Sequence, residues 1–167
     1  MHRHLKQKQQ FLGFVTFIAV TFAASTAMAQ SVGLTVAEVG EKLEAAGLSI
    51  EVVSQSDGGV IYAESQGFNF ALLAFSCQGA EVRCRDFMFS AFFETDGKVS
   101  KEAINEFNQN SLGGRAYIDA QGDANLEHLF TVYDGNDDLV EYNLDIWQSI
   151  LPDFAGFIGG FGDAPSS

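Results

Sequence analysis

Residues 68–94 read FNFALLAFSCQGAEVRCRDFMFSAFFE. Phe68 to Cys77 is apolar at both alternating sets of positions, the pattern of a strand in the middle of a sheet. From Cys84 to Glu94 a second run alternates. Phe87, Phe89, Ala91 and Phe93 fall on one face, and Met88, Ser90 and Phe92 on the other. Gln78-Gly79-Ala80-Glu81 supplies a turn between them. The stretch therefore predicts a central antiparallel hairpin with Cys77 and Cys84 near its closed end.

Toward the N-terminus, Ser49–Ser54 and Val60–Glu64 read as strands around the turn Ser56-Asp57-Gly58-Gly59. Before them, Leu34 to Gly47 reads as a helix. Thr35 and Glu38 form a T-x-x-E capping box, and Val36, Val39, Leu43 and Ala46 share one face. Toward the C-terminus, Ser100 caps a short helix through Asn110, with Ala103, Ile104 and Phe107 inward. Gly113-Gly114 ends it. Arg115–Asp119 and Asn125–Tyr133 are strands around Gln121-Gly122-Asp123. A last helix opens at Asp137 and Asp138, with Asp138 and Glu141 fitting a D-x-x-E box. Val140, Leu144, Trp147, Leu151, Phe154 and Ile158 make its apolar stripe. Pro152 cannot donate to the carbonyl of Gln148, so a kink or break is expected there. The order α-β-β-β-β-α-β-β-α predicts an α+β fold, an antiparallel sheet with helices packed mainly on one face.

Ahead of this domain, Arg3, Lys6 and Lys8 precede an uncharged, mostly apolar run from Phe11 to Ala24 and the small-x-small site Ala27-Met28-Ala29. This is the pattern of a cleaved export signal over residues 1–29, with the mature chain starting at Gln30. A membrane anchor would need a longer apolar run, and a lipoprotein would need Cys where Gln30 stands. Residues 30–158 then form one domain, and 159–167 a flexible tail. Removing the three signal cations from a chain of net charge −13 leaves −16. Such a surface repels phosphate backbones and anionic lipid heads, which argues against nucleic acid and membrane-surface partners, and charged residues interrupt every later apolar run, which argues against stable membrane anchoring. In an oxidising compartment the isolated pair Cys77 and Cys84 reads as a disulfide. Thiolate catalysis and metal binding are the alternatives, and no C-x-x-C or Cys/His cluster supports them.

The segment 105–127, NEFNQNSLGGRAYIDAQGDANLE, is the most distinctive. Asn105-Glu106-Phe107-Asn108, Arg115-Ala116-Tyr117-Ile118-Asp119 and Gly122-Asp123 resemble the pattern of the YbjN-domain family of bacterial proteins, sometimes labelled sensory transduction regulators. Cys77 and Cys84 on a central hairpin also look like exported members. The resemblance implies a fold similar to type III secretion chaperones, often dimeric, that binds protein segments. It carries no catalytic residues and no cofactor.

Competing readings of single motifs favour structure over chemistry. Asp119-x-Gln121-Gly122-Asp123-x-Asn125-x-Glu127 invites calcium but misses the EF-hand spacing, so a hairpin turn is the better reading. His128 could be drawn into a triad with Ser90 or Ser111 and Asp119, yet no nucleophile elbow supports it. Asn105 and Asn108 could present amides to a ligand, or tie down the Gly113-Gly114 loop. Arg115 is expected to pair with a carboxylate of its own chain. The expected function is a non-catalytic, exported interaction module, chaperone-like or regulatory, that binds an unidentified protein or peptide or a second copy of itself. Trp147, Leu151, Phe154 and Phe157 on the last helix, together with the sheet, are its candidate surface. A periplasmic hydrolase with a degenerate site, or a small-ligand-binding protein, is the alternative.

Overall fold

The computed structural model describes residues 33–55, 57–133, 136 and 138–160. The export signal expected over residues 1–29, the helix start expected at Asp137 and the tail residues 161–167 lie outside them. The elements are α1 (Val36–Ala45), β1 (Ser49–Gln55), β2 (Gly58–Ser65), β3 (Phe68–Gln78), β4 (Arg83–Phe93), α2 (Lys101–Asn110), β5 (Arg115–Ile118), β6 (Ala124–Thr131) and α3 (Leu139–Gly159). This is the expected order and the expected α+β class. The six strands form one antiparallel sheet in the order β1-β2-β3-β4-β6-β5.

The alternation in β4 sorts the two faces. Phe87, Phe89 and Ala91 are buried, and their cross-strand neighbours Leu72, Phe130 and Leu126 are buried with them. All three helices lie over this face. Trp147 of α3 stacks on Phe89 at 5.5 Å between ring centroids and meets Phe70 edge-on. Phe154 of α3 packs edge-on against Phe93 and against Phe107 of α2. Gly40 of α1 lies over Ile50, Val52 and Ile61, where a Cβ would come within 3.1 Å of Ile50. Burying these aromatic rings, each about 150–250 Å², is the largest favourable contribution to the fold.

The T-x-x-E box of α1 is formed. Thr35 Oγ1 accepts from the Glu38 amide, and Glu38 Oε2 accepts from the Thr35 amide at 2.7 Å. The D-x-x-E box of α3 is not: Asp138 has helical backbone angles and makes no capping bond through its side chain. A cap needs an extended N-cap residue, and here the turn has already begun at Asp138.

The expected break at Pro152 is also absent, for α3 runs unbroken through it to Gly159. The reason is a contact from a distant part of the chain. Proline removes the donor to the Gln148 carbonyl, and the side-chain amide of Gln66, in the β2–β3 turn, donates to that oxygen instead at 3.0 Å. Gln148 returns a bond to Ser65 Oγ at 3.0 Å. Gly159, expected in the tail, is the last helical residue.

Cys77 and Cys84 face each other across β3 and β4 and are bonded. That hairpin end is docked onto the start of α1. Leu34 and Cys84 exchange backbone hydrogen bonds at 3.0 and 2.7 Å. Arg83 joins Glu38 and Glu81 and donates to the carbonyl of Gly33. Gly33 has φ +92°, and a Cβ there would lie 2.2 Å from the Cys84 carbonyl oxygen, so the approach admits only glycine.

Candidate functional site

The residues of the family-like segment are used inside the fold. Asn108 spans the backbone of Ala116: its Nδ2 donates to the carbonyl at 3.0 Å and its Oδ1 accepts from the amide at 2.8 Å. A side chain thus gives edge strand β5 the partner that a further strand would give. Phe107 is buried under α3, and Asn105 is exposed. Arg115 pairs with Glu127 and lies over the Tyr117 ring, while Tyr117 donates to the other Glu127 oxygen at 2.9 Å. Burial, and then the Glu127 hydrogen bond, push the Tyr117 hydroxyl up.

Asp119 closes the β5–β6 turn. Its Oδ1 accepts from the amides of Gln121 and Asp123, both at 2.9 Å. The Asp123 bond leads the interactions that hold the Asp119 carboxyl below its ordinary range. Asp123 in turn accepts from the amides of Thr95 and Asp96, and the Gly122 carbonyl from Gly97 and Thr95 Oγ1. The Gly-Asp motif is a clasp between the β5–β6 turn and the β4–α2 loop. Among the described residues no three His, Cys, Asp or Glu side chains group as metal ligands.

His128 does not meet a serine. It lies on the helix-covered face, where its Nε2 is 2.8 Å from Asn143 Oδ1 and its ring stacks near Phe89. Ser90 pairs in register with Glu127 on the opposite face, and Asp119 stands at the far end of β5. The three residues of the imagined triad are apart.

The candidate surface on α3 divides. Trp147, Leu151 and Phe154 are fully buried, so they are core and cannot meet a partner in the folded chain. Their stripe faces the sheet, and nothing tilts the last turns away because the helix is unbroken at Pro152. Phe157 is different. It is only partly buried, packs against Phe107 at 5.5 Å, and lines a groove of about 810 Å³ between α2 and α3.

That groove is built by a second apolar stripe on α3. Tyr142, Ile146, Ile150 and Phe157 follow one another along its flank, with Asp145, Ser149 and Asp153 beside them. The facing wall is Glu106, Phe107 and Asn110 of α2 and the loop 111–113, where Leu112 is wholly exposed. Gly113 lets this loop settle onto α3, since a Cβ would lie 2.7 Å from Ile146. Three carboxylates, Glu106, Asp145 and Asp153, line the groove, and no Lys, Arg or His does. The sequence held the signal for this stripe in the spacing of 142, 146, 150 and 157, which the stronger stripe through Trp147 overshadowed.

Among the described residues no helix is long and apolar enough to cross a membrane. The Cys77–Cys84 bond is compatible with a location outside the cytoplasm. No curated protein matches the chain significantly. The family comparison does: a model described as "Putative bacterial sensory transduction regulator", a description of a regulator and not of an enzyme, matches residues 35–159, from the α1 cap to the end of α3 and across the groove, and so the chain belongs to the YbjN family.

Proposed function

We propose that this is a non-catalytic, exported regulatory module that binds a polypeptide, and that the α2–α3 groove receives a basic amphipathic segment of the partner. One observation carries the reading: an apolar floor of Phe107, Ile146, Ile150 and Phe157 is flanked by three carboxylates with no cation among the lining residues. An amphipathic helix laid in such a groove buries its apolar face and sets Lys or Arg against the rim. Export rests on residues 1–29 and agrees with the bonded cysteines.

The test is calorimetric titration with a synthetic helical peptide carrying Leu on one face and Lys on the other. Binding is expected to weaken as salt rises, because rim charges are screened. The double variant Asp145→Lys, Asp153→Lys, both exposed positions, should weaken it about tenfold or more. A wild-type protein that ignores the peptide, or a variant that binds it equally well, refutes the reading.

A further inference from the structure

The face of the sheet turned away from the helices carries a cleft of about 680 Å³ over β1 to β4. Small residues make its floor. Tyr62, Ala71 and Ser90 are neighbours in register on β2, β3 and β4. Ala71 and Ser90 are short, and a ring stands above them at each end. Tyr62 is 51% exposed at one end, and Phe92, two residues along β4 from Ser90, is 57% exposed at the other. From the spacing of strands and the rise along them, the two rings spring from Cα atoms about 12 Å apart. Charge marks the Tyr62 end. Glu51 is its partner in register on β1, and Glu64 lies two residues along β2 on the same face. Such a diagonal pair is about 7–8 Å apart, so a charge resting on the Tyr62 ring is within reach of both. Among the described residues neither glutamate has an ion pair or a hydrogen bond. Glu127, in the same row as Tyr62, differs: it is already taken up by Arg115 and Tyr117. No Lys, Arg or His lines the cleft.

We propose that this cleft binds a small organic cation, an ammonium group carried on an apolar body. The charged end lies over Tyr62 between the two carboxylates, where the face of the ring attracts it as well. The apolar body crosses Ala71 and Ser90 and ends against Phe92. Volume sets the size, since small-molecule sites run to about 300–1,000 Å³. Charge sets the sign. An anion would meet two unpaired carboxylates on a chain of net charge −13, and a neutral ligand would leave both unused. The rings set the length. With one at each end, the depression suits a short ligand rather than a polypeptide that must run on past it. The site is separate from the α2–α3 groove, which lies on the helical side of the sheet.

An NMR titration of the wild-type protein with phenethylamine, a cation at neutral pH, tests this. At about millimolar concentration the amine should shift the ring and amide signals of Tyr62 and Phe92. Phenethyl alcohol and phenylacetate keep the ring and lack the positive charge, and at the same concentration they should not. Glu51→Gln combined with Glu64→Gln, both exposed positions, should weaken binding of the amine about fivefold. Tyr62→Ala should weaken it about threefold, with the circular dichroism of each variant unchanged. Asp145→Lys, in the α2–α3 groove, should leave it unaltered, so that this site and the peptide site fail separately. An absence of shifts at Tyr62 and Phe92, equal binding of the alcohol, or a glutamine variant that binds as wild type does overturns the proposal. Tighter binding of N-acetyl-lysine amide than of phenethylamine would assign the cleft to a side chain of another protein, and overturns it too.

Discussion

Replacing Phe154 with Ala should cost far more than replacing Phe157, although the two lie one turn apart on α3. Phe154 is fully buried and makes edge contacts with Phe93 and Phe107 at centroid distances of 5.4 and 4.8 Å. Truncating such a ring removes its transfer free energy and leaves a cavity between two helices and the sheet. The expected loss is about 3–5 kcal/mol, toward the upper end because two aromatic contacts vanish together. For a domain of this size that is a drop in Tm of about 10–20 °C. Phe157 keeps one side in the groove, so Phe157→Ala should cost about 1–1.5 kcal/mol. Urea unfolding followed by the fluorescence of Trp147, the single tryptophan, and by far-UV circular dichroism gives both numbers. The urea midpoint should fall in each variant while the dependence on denaturant stays constant. Equal losses, or a loss below about 1 kcal/mol for Phe154→Ala, would refute the docking of α3 described here.

Replacing Cys77 and Cys84 together with Ser should lower stability by about 2–3 kcal/mol without unfolding the domain, because the bond closes a short loop; thiol labelling of the untreated protein should find neither cysteine free. Gln66→Ala should cost about 0.5–1 kcal/mol and speed amide exchange in α3 around Pro152, since the Gln148 carbonyl loses its donor; unchanged exchange would rule the bond out as the helix's support. Acid should destabilise the protein. The Asp86 carboxyl is held low by hydrogen bonds from Ser76 and then Thr131, and Glu38 is held low by the Thr35 bonds and Arg83, which outweigh its burial. Both carboxyls have lower pKa values folded than unfolded, so their stabilisation is complete above the ordinary carboxylate range and is lost as pH falls through the folded values, below about pH 4; a urea midpoint that rises on acidification would contradict this. N-terminal sequencing of the exported protein should begin at Gln30, and an intact Met1 on a membrane-bound species would refute the export reading.

Sequence periodicity made the fold legible because most elements carry a pattern that fixes their type and their buried face. The alternation of Phe87, Phe89 and Ala91 names the buried face, and the T-x-x-E box names the start of α1. What stayed hidden depends on contacts between distant residues. Pro152 reads as a helix breaker only if Gln148 is left without a donor, and Gln66 lies 82 positions away. Strand order is hidden for the same reason: nothing local places β6 between β4 and β5. The site was half legible. An excess of large apolar residues on α3 signalled a second surface, but Trp147, Leu151 and Phe154 belong to the core stripe and only Phe157 reaches the groove. A helix with two apolar stripes needs the position of its neighbours to say which one is covered.

The order β1-β2-β3-β4-β6-β5 sets a sequence of events in folding. The first four strands form a meander, each paired with the strand before it, so only short loops must close. β6 must then join β4 across the whole of α2 and β5; the Asp86–Thr131 bond in that seam closes over 45 residues. The late step is therefore arrival of the C-terminal half, and with it α3 and Trp147. Before that step the inner faces of β3 and β4, rich in Phe, lie open to water. Refolding should show strand signal before tryptophan burial, and aggregation during refolding should come from this four-stranded intermediate.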